Sequence, residues 1–196
     1  MKKIKSAEPQ ISDRGPQLQA FGTVVHMPNS LDPAGCRAAV SSLNQLLADT
    51  ITLRDLYKKH HWQVAGPNFY SLHLLFDKHY EGQALLVDAI AERIQLLGGV
   101  SVAMAPDVGA LTRIHMPPSG REEPDVQLSR LLAAHEIILK HAHEAADKAE
   151  DGGDHGSNDL LASKVIPVNE FQVWFVSQHL VEIGGNELKK GTASAA

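Results

Sequence analysis

Two pairs of potential metal ligands lie in one stretch of the sequence: His73 and Asp77 are four positions apart, and so are Asp88 and Glu92. On a helix each pair shares a face, with Cβ atoms about 5–6 Å apart, close enough to grip one cation. A lone pair at this spacing is commonly a solvated polar stripe, but two pairs on one helix are a stronger signal. Asp88 follows Asp77 by 11 residues, which leaves the pairs within about 20° of one face but about 16 Å apart along the axis. Metal bonds of about 2.0–2.2 Å cannot bridge that gap. One copy of the helix therefore cannot close a site with both pairs, whereas two copies can. His73 and Glu92, like Asp77 and Asp88, stand symmetrically about the point between Gly82 and Gln83. An antiparallel pairing about a two-fold axis brings His73 level with Glu92 of the partner subunit and Asp77 level with Asp88 of the partner subunit, giving two identical sites per dimer. Gly82 is expected to let the two helices approach closely at the dyad. The alternative is a tolerated helix-interior glycine, costing about 1 kcal/mol relative to alanine.

His61 precedes His73 by 12 residues, with Gly66-Pro67-Asn68 between them to reverse the chain. His61, His73 and Asp77 then form a two-histidine, one-carboxylate set typical of non-haem iron, with Asp88 and Glu92 from across the dyad completing a second-metal or bridging position. Oxygen donors mixed with imidazole suit Fe(II) better than copper(I) or a structural zinc. Taken alone, the run His60-His61-Trp62 also reads as a capping and packing cluster. Of the 11 histidines, His135 falls on an apolar stripe, where a hydrogen-bonded core histidine is expected. His141 and His143 point to different sides of their helix. His26, His60, His79, His115, His155 and His179 have no convergent partner.

The elements that position these residues follow from periodicity. Asp32-Pro33 is an N-cap followed by proline at the first helical position, and the helix it opens runs to about residues 61–64, before Gly66-Pro67. A second helix spans about residues 70–97 and stops at Gly98-Gly99. Pro106, Pro117, Pro118 and Pro124, with Gly109 and Gly120, make a long crossover with room for a short helix. Pro124 opens a third helix, ended by Gly152-Gly153, and a fourth runs from about Ser157 to Gly184-Gly185. The pattern predicts an all-α, ferritin-like four-helix bundle with one long crossover between helices 2 and 3. Pro167, inside the fourth helix, is expected to bend or break it. Residues 1–31 read as a flexible arm, 32–185 as the bundle and 186–196 as a flexible tail.

The chain has 196 residues, 43% hydrophobic and 21% charged, with a formal net charge of -5, which excludes disorder as the main state and a protein-wide basic footprint for nucleic acid. Its single cysteine, Cys36, excludes an internal disulfide framework or a multi-cysteine metal site and fits a reducing compartment, with the cytoplasm as default. Asp88, Glu92 and Arg93 interrupt the richest apolar segment, so no membrane span is expected. The lysines at positions 2, 3 and 5 precede a polar stretch rather than an apolar block, so an export signal is not expected either.

The run His61-Trp62-Gln63-Val64-Ala65-Gly66-Pro67-Asn68-Phe69, then Leu72-His73, Phe76-Asp77, Asp88-Ala89-Ile90-Ala91-Glu92-Arg93 and Leu97-Gly98-Gly99, resembles the Dps family of miniferritins, the DNA-binding proteins from starved cells, over roughly residues 35–185. The resemblance implies an inter-subunit ferroxidase centre with two iron positions, built from His61, His73 and Asp77 of one subunit and Asp88 and Glu92 of its partner. It implies a bacterial, cytoplasmic homododecamer that oxidises Fe(II), preferably with hydrogen peroxide and otherwise with dioxygen, stores ferric mineral and shields DNA from oxidative damage. Trp62 is similar to a family tryptophan that intercepts radicals, though a buried aromatic staple reads equally well. Asp151, Asp154 and Asp159 are similar to the acidic lining of a three-fold iron-entry pore. Aspartate is favoured at a helix N-terminus in any case, through capping and the helix dipole.

Other classes are weighed against this. No glutamate has histidine three residues later, which disfavours an intramolecular di-iron site of the true-ferritin kind. A nucleoid-associated, DNA-compacting role rests on Lys2, Lys3 and Lys5 with Lys189 and Lys190, whose polyvalent phosphate contacts would be strongly salt-dependent. Plain sequestration of zinc or another divalent ion without oxidation is a third option.

Overall fold

The structure, a computed structural model, describes residues 9, 11–13 and 15–181. Lys2, Lys3, Lys5, Lys189, Lys190, Gly184-Gly185 and the expected tail at 186–196 lie outside the described residues. Six helices follow one another: α1 (Pro33–Gln63), α2 (Phe69–Leu96), α3 (Ala105–Leu111), α4 (Pro124–Asp151), α5 (His155–Leu160) and α6 (Ile166–Gln178), with a π-helical turn at Leu161–Val165 joining α5 to α6. No strand occurs among the described residues, and none of the helices there is long and apolar enough to cross a membrane.

The long helices begin and end where the sequence marks them. Asp32 caps α1 by accepting from the Gly35 N–H at 2.7 Å, and Pro33 and Pro124 take the first positions of α1 and α4, where no intrahelical N–H is needed. Gly98 ends α2 at φ 84°, and a Cβ there would stand 2.1 Å from the Val25 carbonyl oxygen. Its own carbonyl accepts from the Val25 N–H at 2.9 Å and from Gln19 Nε2 at 2.9 Å, so residues 19–25 of the N-terminal segment are tied to the α2 terminus. The crossover carries the short helix α3 and is pinned by the fully buried Asp49, which accepts from the Arg113 N–H at 2.7 Å and from Thr112 Oγ1 at 3.0 Å.

The fourth long element differs from expectation in where it ends. It starts at His155, passes through the π-helical turn, and gives way to a turn at His179 and Leu180. As expected, the α-helix is interrupted just before Pro167, and α6 resumes with the proline in its first turn. Proline has no N–H and its ring clashes with the carbonyl four residues back. The wide turn just before it, in which the Ile166 N–H reaches the Leu161 carbonyl five residues back, relieves that clash by adding a residue.

Leu46, Leu53, Phe76, Ile90, Ile94 and Leu131 are almost completely buried at the centre, each contributing about 1.5–3 kcal/mol relative to exposure. A polar layer crosses this apolar core. Tyr57 from α1, His79 and Gln83 from α2, His135 from α4, and Asn169 and Gln172 from α6 are all buried. The Tyr57 hydroxyl lies 2.6 Å from His135 Nε2 and 3.1 Å from His79 Nδ1, and His135 Nδ1 lies 2.8 Å from Asn169 Oδ1. Gln83 Nε2 bonds Gln172 Oε1 at 2.9 Å and Asn169 Oδ1 at 3.1 Å. The expectation of a satisfied core histidine at 135 is met. His79, for which the sequence offered no partner, belongs to the same network.

Candidate metal centre

The α1–α2 reversal brings His61, near the end of α1, against His73, early in α2. Their rings stack with centroids 3.8 Å apart. His61 Nδ1 lies 2.8 Å from the His73 carbonyl oxygen and His73 Nδ1 lies 2.9 Å from the His61 carbonyl oxygen. A carbonyl only accepts, so both Nδ1 atoms carry hydrogen and donate, leaving both Nε2 lone pairs unused. The His61 carbonyl is available because it falls in the last turn of α1, beyond the reach of further helical donors. A neutral imidazole whose remote N–H is held by a backbone carbonyl is already oriented as a metal ligand.

Asp77 lies one turn of α2 beyond His73, with its Oδ1 3.9 Å from His61 Nδ1. Lys58, one turn before His61 on α1, donates from Nζ to the same oxygen at 2.5 Å and also sits 4.6 Å above the Tyr80 ring. The Lys58 hydrogen bond, followed by the nearby histidines, holds the Asp77 carboxyl below its ordinary range. Lys58 is a site residue missed in the sequence, although its place three residues before His61 was a readable signal.

Asp88 and Glu92 are exposed on α2, about 16 Å and about 22 Å along the axis from Asp77, and neither finds a hydrogen-bond or ion-pair partner among the described residues. Among those residues, no group of three or more His, Cys, Asp or Glu side chains within the protomer converges closely enough to hold a metal. The fold thus stacks His61 on His73 and sets Asp77 Oδ1 3.9 Å from His61 Nδ1, without closing a three-ligand cluster, and leaves Asp88 and Glu92 apart on the same helix.

Several neighbouring expectations change. At Gly82 a Cβ would stand 2.9 Å from Gln172 Nε2 on α6, so close packing within the protomer already favours glycine there. Trp62 is 69% exposed on the protomer, so it is not a staple buried within it. The capping and packing alternative for the His60-His61-Trp62 run holds for His60 alone, which is fully buried with neither ring nitrogen partnered. Burial pushes His60 down to about 4, with Lys59 and Arg130 adding to the shift.

The three aspartates near α5 are not equivalent. Asp154 is buried, caps α5 by accepting from the Ser157 N–H at 3.0 Å, and forms an ion pair with Arg93. It is a structural cap rather than an open carboxylate. Asp151 and Asp159 are exposed, the latter accepting from Ser163 Oγ at 2.9 Å.

Comparison with known proteins agrees with this architecture. A family model described as a ferritin-like domain matches residues 40–185. The structure of DpsC from Streptomyces coelicolor is 47% identical, superposes with a TM-score of 0.85, and covers 87% of this chain and 99% of its own. An archaeal Dps homologue from Halobacterium salinarum is 25% identical with a TM-score of 0.84, over 90% of this chain and 98% of its own. A protein of Nostoc sp. called nutrient stress-induced DNA-binding protein is 31% identical over 88% of this chain and 93% of its own length.

Proposed function

The chain belongs to the Dps family of ferritin-like proteins, and from that premise we propose that it oxidises Fe(II) at centres shared between antiparallel subunits and stores the ferric product in a twelve-subunit shell. The observation that carries this reading is an incomplete half-site: two imidazoles with bare Nε2 atoms beside Asp77, and two unpartnered carboxylates, Asp88 and Glu92, on the same helix. A half-turn about an axis near residues 82 and 83 supplies each subunit's missing ligands from its partner.

Iron is the substrate. His61 and His73 bind it as neutral ligands, and Asp77 takes part once an arriving cation displaces the Lys58 ammonium. Asp88 and Glu92 of the partner subunit hold or bridge the second ion. Two Fe(II) ions side by side match the electron demand of hydrogen peroxide: two ferrous ions, one peroxide and two protons yield two ferric ions and two waters. Delivering both electrons within one site avoids the one-electron reduction that releases hydroxyl radical. Dioxygen is the alternative oxidant. Trp62, exposed beside His61, intercepts radicals that escape. Asp151 and Asp159, repeated about a three-fold axis, line the iron-entry pore, with Asp154 and Arg93 fixing the wall that carries them.

The protein acts in the bacterial cytoplasm, where clearing iron and peroxide protects DNA. Direct DNA contact would fall to Lys2, Lys3 and Lys5 and, near the other terminus, Lys189 and Lys190. A gel-shift series over salt concentration tests that contact: no retardation at low salt removes it and leaves the iron chemistry intact.

Stopped-flow absorbance after mixing Fe(II) and peroxide without oxygen tests the centre. Asp77→Ala and Glu92→Ala are each expected to slow ferric product formation by roughly 100-fold, the upper end of what disturbing a metal site costs. Unchanged rates in both variants would show that the centre lies elsewhere, and divalent-ion binding without any ferric product would reduce the protein to a metal sequestrant.

A further inference from the structure

The polar layer inside the bundle contains a group that the iron chemistry above leaves unused. Of the three tyrosines, Tyr57 is fully buried, while Tyr70 is 73% exposed and Tyr80 is partly buried beside Lys58. We propose that Tyr57 is a redox-active tyrosine: it gives one electron to an oxidising radical formed at the neighbouring iron centre and passes its phenolic proton to His135 Nε2. The inference rests on the ferroxidase reading for the source of the oxidant.

The hydrogen-bond network fixes where the protons lie. Asn169 Nδ2 donates to the Val165 carbonyl at 2.7 Å, in the π-helical turn, and thereby turns Asn169 Oδ1 toward His135. That oxygen also accepts from Gln83 Nε2 at 3.1 Å, so His135 Nδ1, at 2.8 Å, carries the hydrogen and His135 Nε2 is bare. The Tyr57 hydroxyl therefore donates to it at 2.6 Å, while His79 Nδ1 donates to the phenol oxygen at 3.1 Å. Burial pushes the Tyr57 phenol well above its ordinary range, so the electron cannot be drawn from a phenolate and must leave together with the proton. Burial also pushes His135 down to about 4, which keeps it neutral and able to accept at neutral pH. Tyr57 and His61 are four residues apart on α1, so their backbone positions are separated by one helical turn, about 6 Å along the axis. Trp62 is placed to meet radicals in solvent, whereas Tyr57 confines an unpaired electron inside the protein.

The oxidant is hydroxyl radical, which arises when peroxide meets a centre holding a single Fe(II): one ferrous ion and one peroxide give ferric ion, hydroxide and hydroxyl radical, and with it the step balances. Tyrosine, neutral imidazole and hydroxyl radical give tyrosyl radical, imidazolium and hydroxide, which solvent protonates to water. A further Fe(II) then restores the pair: tyrosyl radical, imidazolium and Fe(II) give tyrosine, imidazole and Fe(III).

The test is freeze-quench EPR on the full-length assembled protein, in two arms. In the first, Fe(II) and peroxide are added while ferric product is followed in parallel. A tyrosyl signal is expected in the wild type and in Tyr70→Phe/Tyr80→Phe, and its loss is expected in Tyr57→Phe. His135→Gln, which alters the proton acceptor, should lower the radical yield at least several-fold and change its solvent deuterium isotope effect, neither of which a purely structural role would do. Normal ferric product without a tyrosyl signal, or a signal that survives Tyr57→Phe in protein of unchanged size and helicity, overturns the proposal. The second arm replaces iron with a photogenerated ruthenium(III) polypyridyl oxidant. If the first arm yields no ferric product in any variant, the metal-centre reading has failed, and the photo-oxidant decides Tyr57 alone: a Tyr57-dependent signal supports its redox activity and the lack of one refutes it.

Discussion

His61 and His135 are the same residue type placed in two neighbouring regions, and the regions differ in what they leave unfinished. At the open end of the α1–α2 pair, each histidine spends one nitrogen on a backbone carbonyl and keeps the other free. Asp77 is held by a lysine that a cation can displace, and the remaining carboxylates lie beyond the protomer's reach. Inside the bundle, Tyr57 of α1 and Asn169 of α6 satisfy both nitrogens of His135. Buried polar groups left unpaired cost about 1–3 kcal/mol each, which accounts for the partners His135 has, although Gln83 Oε1 in the same layer is buried without one. At the rim, water takes the place of protein partners, so donors can wait for a metal. The contrast separates ligation from stability, and each variant below loads one side of it.

The largest expected effect comes from mixing subunits. Asp77→Ala and Glu92→Ala assemblies, each inactive alone, are to be dissociated, combined and reassembled. In a mixed dimer one of the two sites keeps all its ligands, so about a quarter of all sites should recover under random pairing. No recovery, with mixed dimers verified by mass spectrometry, would break the inter-subunit arrangement.

Next comes pH. Burial lowers His79 from 6.5 to about 3 and His60 and His135 from 6.5 to about 4. In this window the unfolded chain binds more protons than the folded one. Stability is therefore full above about pH 6.5 and falls toward pH 4, by about 1.4 kcal/mol per pH unit for each histidine. Denaturant titrations from pH 7 to pH 5 should show that slope, and His60→Phe should remove one histidine's share. A flat profile would mean that these rings already titrate normally.

His135→Ala leaves the Tyr57 hydroxyl and Asn169 Oδ1 unpaired around a cavity, so a loss of about 3 kcal/mol is expected at an unchanged denaturant m-value. Asp77→Ala, which removes a half-exposed ion pair, should cost less than about 1 kcal/mol. If Asp77→Ala proved the more destabilising of the two, the division between rim and interior would fail. The smallest effect belongs to Gly82→Ala. Helix propensity gains about 1 kcal/mol, and the displaced Gln172 amide, now 2.9 Å from the added Cβ, returns a similar loss. Net stability should stay within about 1 kcal/mol and the dimer should persist by analytical ultracentrifugation. Dissociation would place Gly82 at the dyad as well.

Long-range order along each helix was legible in the sequence because capping and periodicity are local: Asp32-Pro33, Gly98-Gly99 and Pro124 stand at or beside the observed boundaries. That His61 and His73 meet was legible too, since a short reversal between two helices leaves little freedom. Lys58 escaped attention because a lysine at helical spacing is usually solvated. That Pro167 disturbs the fourth helix was legible, but the form of the disturbance, a π-helical turn, depends on how the whole element packs.

Side-chain spacing determined which residues of α2 share a face, the α1–α2 turn determined which helix ends meet, and periodicity determined why the long helices form. Only the tertiary structure decided that Asp154 is a cap bound to Arg93, that Gly82 yields to Gln172, and that His79, Tyr57, His135 and Asn169 meet. Those contacts join residues far apart in the chain, and no local periodicity encodes which polar atom of one helix will face which atom of another.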